Sequence, residues 1–176
     1  MKKNIVVGVC GSIAAYKSPD VIRGLRRKGW DVRVIMTAEA TKFITPLTIE
    51  VVSANRVYLD MFARDNWDIA HISLNDFSSI ILVVAATANI IGKTAAGICD
   101  DLLTCAIAAS GGKVIFAPAM DRNMWSNKIV QENVAKLKKH GYLFIGPDKG
   151  ALASGKTGIG RLAPVEQIIA GIEQEV

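Results

Sequence analysis

Residues 5–13, Ile5-Val6-Val7-Gly8-Val9-Cys10-Gly11-Ser12-Ile13, carry the reading on which the fold turns. Ile5 to Val9 is a β-branched run broken only by Gly8, which suits a strand covered on both faces, because such a strand has no polar side to alternate with. The run stops at Gly11-Ser12, a small-residue turn from which a helix departs. Val21, Ile22 and Leu25 share one face of that helix, and Gly29 ends it as a glycine just past a helix should. Lys2-Lys3 ahead of an apolar stretch reaching Ala15 imitates a secretion signal. The strand accounts for more of these residues, so 1–15 are expected to be folded structure and the protein is expected in the cytoplasm.

The same alternation runs outward from this unit. Val32 to Met36 predicts a second strand, followed by a helical stretch from about Ala38 to Phe43. Pro46 opens a helix through Ile49 and Val52, as an N1 proline can. The polar segment Arg64 to Ser73 is expected to cross a surface. Ile80 to Val84 predicts a central strand, Asn89 to Gly97 and Leu102 to Ala109 helices, and Lys113 to Ala117 a strand. A helix from about Lys128 to His140 stops at Gly141, before a strand over Tyr142 to Ile145. Residues 146–163 are glycine-rich and lack apolar pattern, which predicts a loop or flap, and Pro164 starts a last short helix. Strands alternating with helices imply an α/β fold: a single doubly wound, Rossmann-like or flavodoxin-like parallel sheet with helices on both faces, one domain over residues 1–176.

Composition narrows the function classes. With 176 residues, 51% hydrophobic and 21% charged, the chain has the material for one real core, which excludes disorder and a disulfide- or metal-stapled miniprotein. The unbroken apolar run Ile80 to Ala86 is too short to span a bilayer, so no membrane partner is expected. Three cysteines, Cys10, Cys99 and Cys105, form no CxxC pair and favour a reducing compartment, where they are expected to pack as small apolar groups. Two histidines, His71 and His140, argue against a Cys/His zinc site, and no metal is expected. The net charge of +5 gathers at Arg23, Arg26, Arg27, Lys28 and at Lys136, Lys138, Lys139 without interleaved aromatics. These are expected to be solvated helix faces rather than a nucleic-acid groove.

In doubly wound sheets ligands bind beyond the carboxyl ends of strands, and four motifs sit there. Gly8-Val9-Cys10-Gly11-Ser12-Ile13 lacks the GxGxxG fingerprint, yet its turn offers N–H groups and the Ser12 hydroxyl to an anion. Ala85-Ala86-Thr87-Ala88-Asn89 leaves the central strand with small side chains that admit a flat ring, although Thr87 and Asn89 are also good helix caps. Ala117-Pro118-Ala119-Met120-Asp121-Arg122-Asn123-Met124-Trp125 reads either as a ligand clamp or as a patch under a loop. Gly150-Ala151-Leu152-Ala153-Ser154-Gly155-Lys156-Thr157 satisfies GxxxxGK[ST]. A phosphate loop needs a helix at its Lys-Thr pair, and Gly158-Ile159-Gly160 does not favour one, so nucleotide hydrolysis is not expected.

Taken in order, Gly-Ser-Ile-Ala-Ala-Tyr-Lys (11–17), Met-Thr-x-x-Ala (36–40), His71 before a short helix, Ala-Thr-Ala-Asn (86–89), Gly-Ile-Cys-Asp-Asp-Leu-Leu-Thr (97–104), Pro-Ala-Met-x-x-x-Met-Trp (118–125) and the late glycine-rich flap resemble the homo-oligomeric flavin-containing cysteine decarboxylases across essentially the whole chain. Within that family the likeness is to phosphopantothenoylcysteine decarboxylases of coenzyme A biosynthesis. The resemblance implies bound FMN at a subunit interface of a homo-oligomer, a trimer or a trimer-based dodecamer. It implies that Gly11, Ser12 and Ile13 hold the phosphate end, that Thr37, Ala38, Glu39, Thr87, Ala88, Asn89 and Ala119 lie near the cofactor, and that His71 and Asn89 are catalytic. Asp121 and Met124 would recognise substrate, and Leu152, Ala153 and Ser154 would cover it. The implied substrate is a small molecule or peptide ending in cysteine. The chemistry suits these groups: oxidation of the thiol to a thioaldehyde creates the C=S sink that decarboxylation needs, and an imidazole suits the proton transfers.

Departures from the family pattern lie in three motifs. Its Pro-Ala-Ser/Thr-Ala-Asn-Thr run begins here with Ala85 and ends with Ile90. Asp121 stands for an asparagine, replacing a possible donor to a carboxylate by an acceptor. Ser154 stands for the flap cysteine that reduces the enethiol intermediate, which a hydroxyl cannot do. These changes raise an alternative, oxidative decarboxylation of a peptide C-terminal cysteine in the manner of the lantibiotic peptidyl-cysteine decarboxylases, and a further one, a non-enzymatic flavoprotein. A flavin prenyltransferase-like protein would share fold and FMN site, but those relatives lack the His71 and Met124-Trp125 motifs.

Overall fold

The computed structural model describes residues 3–63 and 70–175. Strand β1 (Lys3–Val9) is followed by a 3₁₀ turn (Ile13–Lys17) and helix α1 (Ser18–Arg27). β2 (Trp30–Met36), α2 (Pro46–Ser53), β3 (Val57–Tyr58), α3 (Ala70–Phe77) and β4 (Ile80–Ala86) come next. Then follow α4 (Ala88–Ala96), α5 (Leu102–Ala108), β5 (Lys113–Pro118), α6 (Arg122–Trp125), α7 (Lys128–Lys139) and β6 (Leu143–Phe144). A hairpin of β7 (Asp148–Ala151) and β8 (Thr157–Arg161) precedes α8 (Val165–Glu173). The six-stranded sheet has the order β3-β2-β1-β4-β5-β6, every pair of neighbours parallel. This is the expected doubly wound α/β architecture, and its strand order reverses between β1 and β4.

The reason lies in the side chains. All seven residues of β4 are buried, and β1 is buried from Ile5 to Val9. Alternate residues feed two cores. Val7, Leu82, Val84 and Ile115 pack with α1 and α8 through Ile22, Leu25 and Ile168. Val6, Ile81, Val83 and Phe116 pack with α4, α5 and α7 through Ile91, Leu103 and Leu137. Each fully buried Val, Leu or Ile contributes about 1.5–3 kcal/mol, so the strands without a polar face become the centre of the sheet.

The expected strand over Ile5 to Val9 and the helix stop before Gly29 (φ +84°) agree with the structure. Pro46 stands at the start of α2, which Thr45 caps by accepting from Thr48 N–H. Other expectations need correcting. The stretch Ala38 to Phe43 holds only a 3₁₀ turn, Ala40–Lys42. The short strand β3 and helix α6 were not expected, being too short for a periodic pattern. Of the predicted surface crossing Arg64 to Ser73, residues 64–69 lie outside the described residues, and Ala70 onward is helical, so His71 is inside α3 rather than before it. Residues 146–163 are not a structureless loop but carry the antiparallel hairpin β7–β8. Of the cysteines, Cys10 is buried in the second core, whereas Cys99 is exposed. Among the described residues, no helix is long and apolar enough to cross a membrane.

Helix α2 ends on Ala54, an exposed residue at φ +55°. A Cβ is disfavoured there, while glycine is at ease. Ala54→Gly is therefore expected to stabilise the fold by about 1 kcal/mol, a rise of roughly 2–4 °C in Tm by calorimetry.

Candidate active site

Three backbone hydrogen bonds stitch together the carboxyl edge of the sheet. Thr37 N–H donates to the Val9 carbonyl (3.0 Å), Cys10 N–H to Val84 (3.2 Å) and Ala119 N–H to Ala86 (3.0 Å). The loops leaving β2, β1, β4 and β5 thus start side by side across the point where the strand order reverses. At the end of β4 the register shifts between Val84 and Ala86, and Ala85 adopts φ +54°. Proline, fixed near φ −65°, cannot take this conformation.

Polar residues of the edge double as caps. Ser12 accepts from Ala14 N–H (3.4 Å), Thr87 from Ile90 N–H (3.3 Å), and Asp121 Oδ1 from Asn123 N–H (2.8 Å). The run Gly-Ile-Cys-Asp-Asp-Leu-Leu-Thr has a structural account too: Asp101 and Thr104 form a reciprocal capping box at the start of α5. Gly11 has a stricter task. A Cβ there would lie 2.3 Å from the Glu39 Cβ, so only glycine lets the loops after β1 and β2 meet.

Beyond this edge lies a cavity of about 660 Å³, a volume within the range of small-molecule and cofactor sites. It gathers Gly11, Ser12, Ile13, Thr87, Ala119, Asp121, Met124, Leu152, Ala153 and Ser154 of the expected site residues. Thr37, Ala38, Glu39, Ala88 and Asn89 are not in its wall. Glu39 nevertheless reaches Gly11, and Ala88 and Asn89 follow Thr87 directly. His71 lies on α3. Sequence reasoning gave no role to the wall residues Tyr16, Lys17, Arg161 and Leu162. Tyr16 and Lys17 stand within the motif 11–17, which was a usable signal, whereas Arg161 and Leu162 reach the cavity only through the hairpin.

The hairpin closes one side. Met120 N–H donates to the Gly160 carbonyl (2.9 Å), and Gly160 (φ +150°) lies so close that a Cβ would fall 2.2 Å from the Met120 carbonyl oxygen. The GxxxxGK[ST] stretch is the end of this hairpin, and β8 rather than a helix begins at Thr157.

The Asn123 N–H, with the Ser154 hydroxyl assisting, holds the Asp121 carboxyl below the usual range, so it is a carboxylate near neutrality. Burial pushes the Cys10 thiol up to about 12, with the Asp101 and Glu39 carboxylates adding to the rise. Alkylation with iodoacetamide at about pH 8 is expected to label exposed Cys99 and spare Cys10, read by peptide mass. Because the folded-state value lies above the ordinary 9.0, the contribution of Cys10 to stability is complete below 9.0 and is lost as pH climbs towards about 12. Urea midpoints across that window measure the loss.

Comparison with known proteins gives consistent matches. A model of the Flavoprotein family matches residues 1–176. The coenzyme A biosynthesis bifunctional protein CoaBC of Borreliella burgdorferi is 46% identical over 173 residues, covering 98% of this chain and 44% of the relative. The chain thus spans less than half the length of that bifunctional relative. A Streptococcus mutans protein named as a probable phosphopantothenoylcysteine decarboxylase is 40% identical over 179 residues, covering 100% of each chain. Among solved structures, a cysteine-to-serine mutant of PPC decarboxylase complexed with pantothenoylaminoethenethiol superposes with a TM-score of 0.88 at 28% identity, over 99% of this chain and 98% of that one. The FMN-dependent cysteine decarboxylase SpaF superposes with a TM-score of 0.84 at 30% identity, over 99% and 97%.

Proposed function

The chain belongs to the Flavoprotein family, and from that membership we propose that it is an FMN-dependent decarboxylase of a cysteine carboxylate, of the phosphopantothenoylcysteine type. The observation that carries the reading is the cavity at the strand-order reversal, where the turn after β1, the end of β4, the loop after β5 and the hairpin meet. Such a place on such a sheet is where nucleotide-like cofactors bind.

The residues present suit FMN. Gly11, Ser12 and Ile13 supply a narrow turn with backbone N–H groups for the phosphate end, and Lys17 adds a cation to the same wall. Thr87 and Ala119 are small enough to let a flat ring approach the backbone. Thr37, Ala38, Glu39, Ala88 and Asn89 complete the cofactor surroundings from the neighbouring loops. Bound there, FMN would supply two-electron oxidation of a thiol to a thioaldehyde, whose C=S group accepts the electron pair left by departing CO₂. The chain supplies the rest. Met120, Met124 and Leu162 form an apolar wall that limits water, Arg161 offers a cation to an anionic substrate, and Leu152, Ala153 and Ser154 cover it. His71 handles the thiol proton, and Asn89 hydrogen-bonds the reacting end.

Ile13, Tyr16 and Met124 line this cavity yet stay exposed at 56%, 58% and 48%, and Ala38, Glu39 and Asn89 beside it are exposed too. Large apolar groups left open at a site's rim are the mark of a surface that another chain covers. This supports a homo-oligomer, a trimer or dodecamer, with FMN at the subunit interface. Three unpaired cysteines fit a cytoplasmic enzyme.

A second reading of the product rests on Ser154. The hairpin offers a hydroxyl where the resembled family has a thiol, and Cys10 is buried with its thiol proton firmly held. On that reading the reaction stops at the oxidised enethiol. Incubation of the flavin-loaded protein with phosphopantothenoylcysteine and with cysteine-ended peptides decides the matter by product mass. Loss of CO₂ with two further hydrogens supports the oxidative reading, and loss of CO₂ alone supports the saturated thiol. No turnover of either substrate by a yellow protein overturns the decarboxylase reading in favour of a binding protein. His71→Asn is expected to abolish turnover, by at least about 100-fold, while leaving flavin absorbance unchanged.

A further inference from the structure

The two positions that set this chain apart most from the resembled family, Asp121 and Ser154, stand 33 residues apart in sequence and touch: Ser154 Oγ donates to Asp121 Oδ2 at 3.2 Å. Each end of that contact is fixed by its own backbone. Asp121 caps α6, so its Oδ1 is committed to Asn123 N–H and Oδ2 is left turned to the hairpin. Ser154 sits in a tip closed by Leu152 N–H donating to the Lys156 carbonyl (2.9 Å) and Gly155 N–H to the Leu152 carbonyl (3.0 Å). The base of the hairpin is clamped separately, by Met120 N–H on the Gly160 carbonyl and by Gly158 lying against the Arg122 stem, where a Cβ would come within 2.6 Å. The base is therefore anchored through backbone, and the tip through one side-chain bridge across the cavity wall.

The polarity of the bridge is set by chemistry. Asp121 is a carboxylate, which only accepts, so the Ser154 hydroxyl donates its one proton to it. Both oxygens of Asp121 are then occupied, and the Lys156 ammonium beside them adds attraction for the same carboxylate. A substrate carboxylate gains nothing at such a group, since it meets an anion whose donors are already spent. Cations for it stand elsewhere in the wall, at Lys17 and Arg161.

We propose that Asp121 and Ser154 are positioning residues that latch the hairpin over the cavity, Asp121 acting on the substrate only through Ser154 and the tip. The proposal rests on the decarboxylase reading for its kinetic consequence but not for its structural one, and the two are tested apart. The Lys156 carbonyl accepts the Leu152 N–H within the latched tip, so trypsin cuts the exposed bond after Lys156 faster when the tip lifts. With the full chain in its flavin-loaded form and no substrate, Ser154→Ala is expected to raise the rate of that cut about five-fold, the effect of losing one hydrogen bond of ordinary net strength, and Asp121→Ala, which also loses the α6 cap, at least as much. The double variant is expected to be cut no faster than Asp121→Ala alone, because that variant already lacks the bridge. Ser154→Thr, which keeps the hydroxyl, is expected to stay within about two-fold of the parent. An unchanged cut in Ser154→Ala, or rate increases that multiply in the double variant, overturns the latch. In turnover of a cysteine substrate, Ser154→Ala is expected to raise KM about five-fold with kcat held. A fall in kcat at constant KM overturns the positioning role and puts the hydroxyl at the reacting atoms. Failure of turnover in the parent would sink the decarboxylase reading alone, since the trypsin measurement is made without substrate.

Discussion

The site depends on hydrogen bonds that continue the sheet one residue past its strands. Parallel neighbours hold their carboxyl ends level, and the bonds from Thr37 to Val9, Cys10 to Val84 and Ala119 to Ala86 keep the loops level as well. A loop that starts in register with its neighbour has little freedom to wander. Gly11 and Glu39 are packed to a distance no side chain at position 11 could share. Thr87 and Ala119 then face the same cavity although 32 residues separate them in sequence. Rigidity here comes from the backbone, which frees the side chains at the edge to be small.

That division of labour explains what could be read in the sequence. The central strands were legible because β1 and β4 are buried on both faces, and only uninterrupted β-branched runs satisfy that demand. Helices α1 and α7 announced themselves by one apolar face and a closing glycine, Gly29 and Gly141, both at positive φ. The hairpin β7–β8 did not. Its strands carry glycine at 150, 158 and 160, and pairing between them is a backbone affair with hardly an apolar side chain to betray it. Helix α6 spans a single turn held by one cap, and β3 is two residues added to the sheet edge; neither is long enough to show a period.

The site was legible in a different way. Residues chosen for backbone reasons, such as Gly11 and Ala119, or for capping, such as Ser12 and Thr87, lie where their motifs suggested. Lys17 and Arg161 were missed because a cation on a helix or a hairpin looks like any solvated charge until the fold turns it inward. Asp121 and Ser154 were each visible as oddities, but their contact was not, since sequence order holds no measure of the space between a loop and a hairpin tip. Two departures that look unrelated on the page of a sequence are one feature in space.

The ion pair between Lys3 and Glu173 (3.0 Å) has a consequence for modularity. It joins the first residue of β1 to the last of α8, and Trp30 Nε1 donates to the same carboxylate. The two ends of the described chain therefore meet at the amino edge of the sheet, about 20 Å of strand away from the cavity. A peptide linking those ends, or a further domain appended there, would leave the loops of the site at the opposite edge undisturbed. Chemistry at one rim and connectivity at the other are independent variables, so such a domain can be joined to other architectures without redesign of its active site.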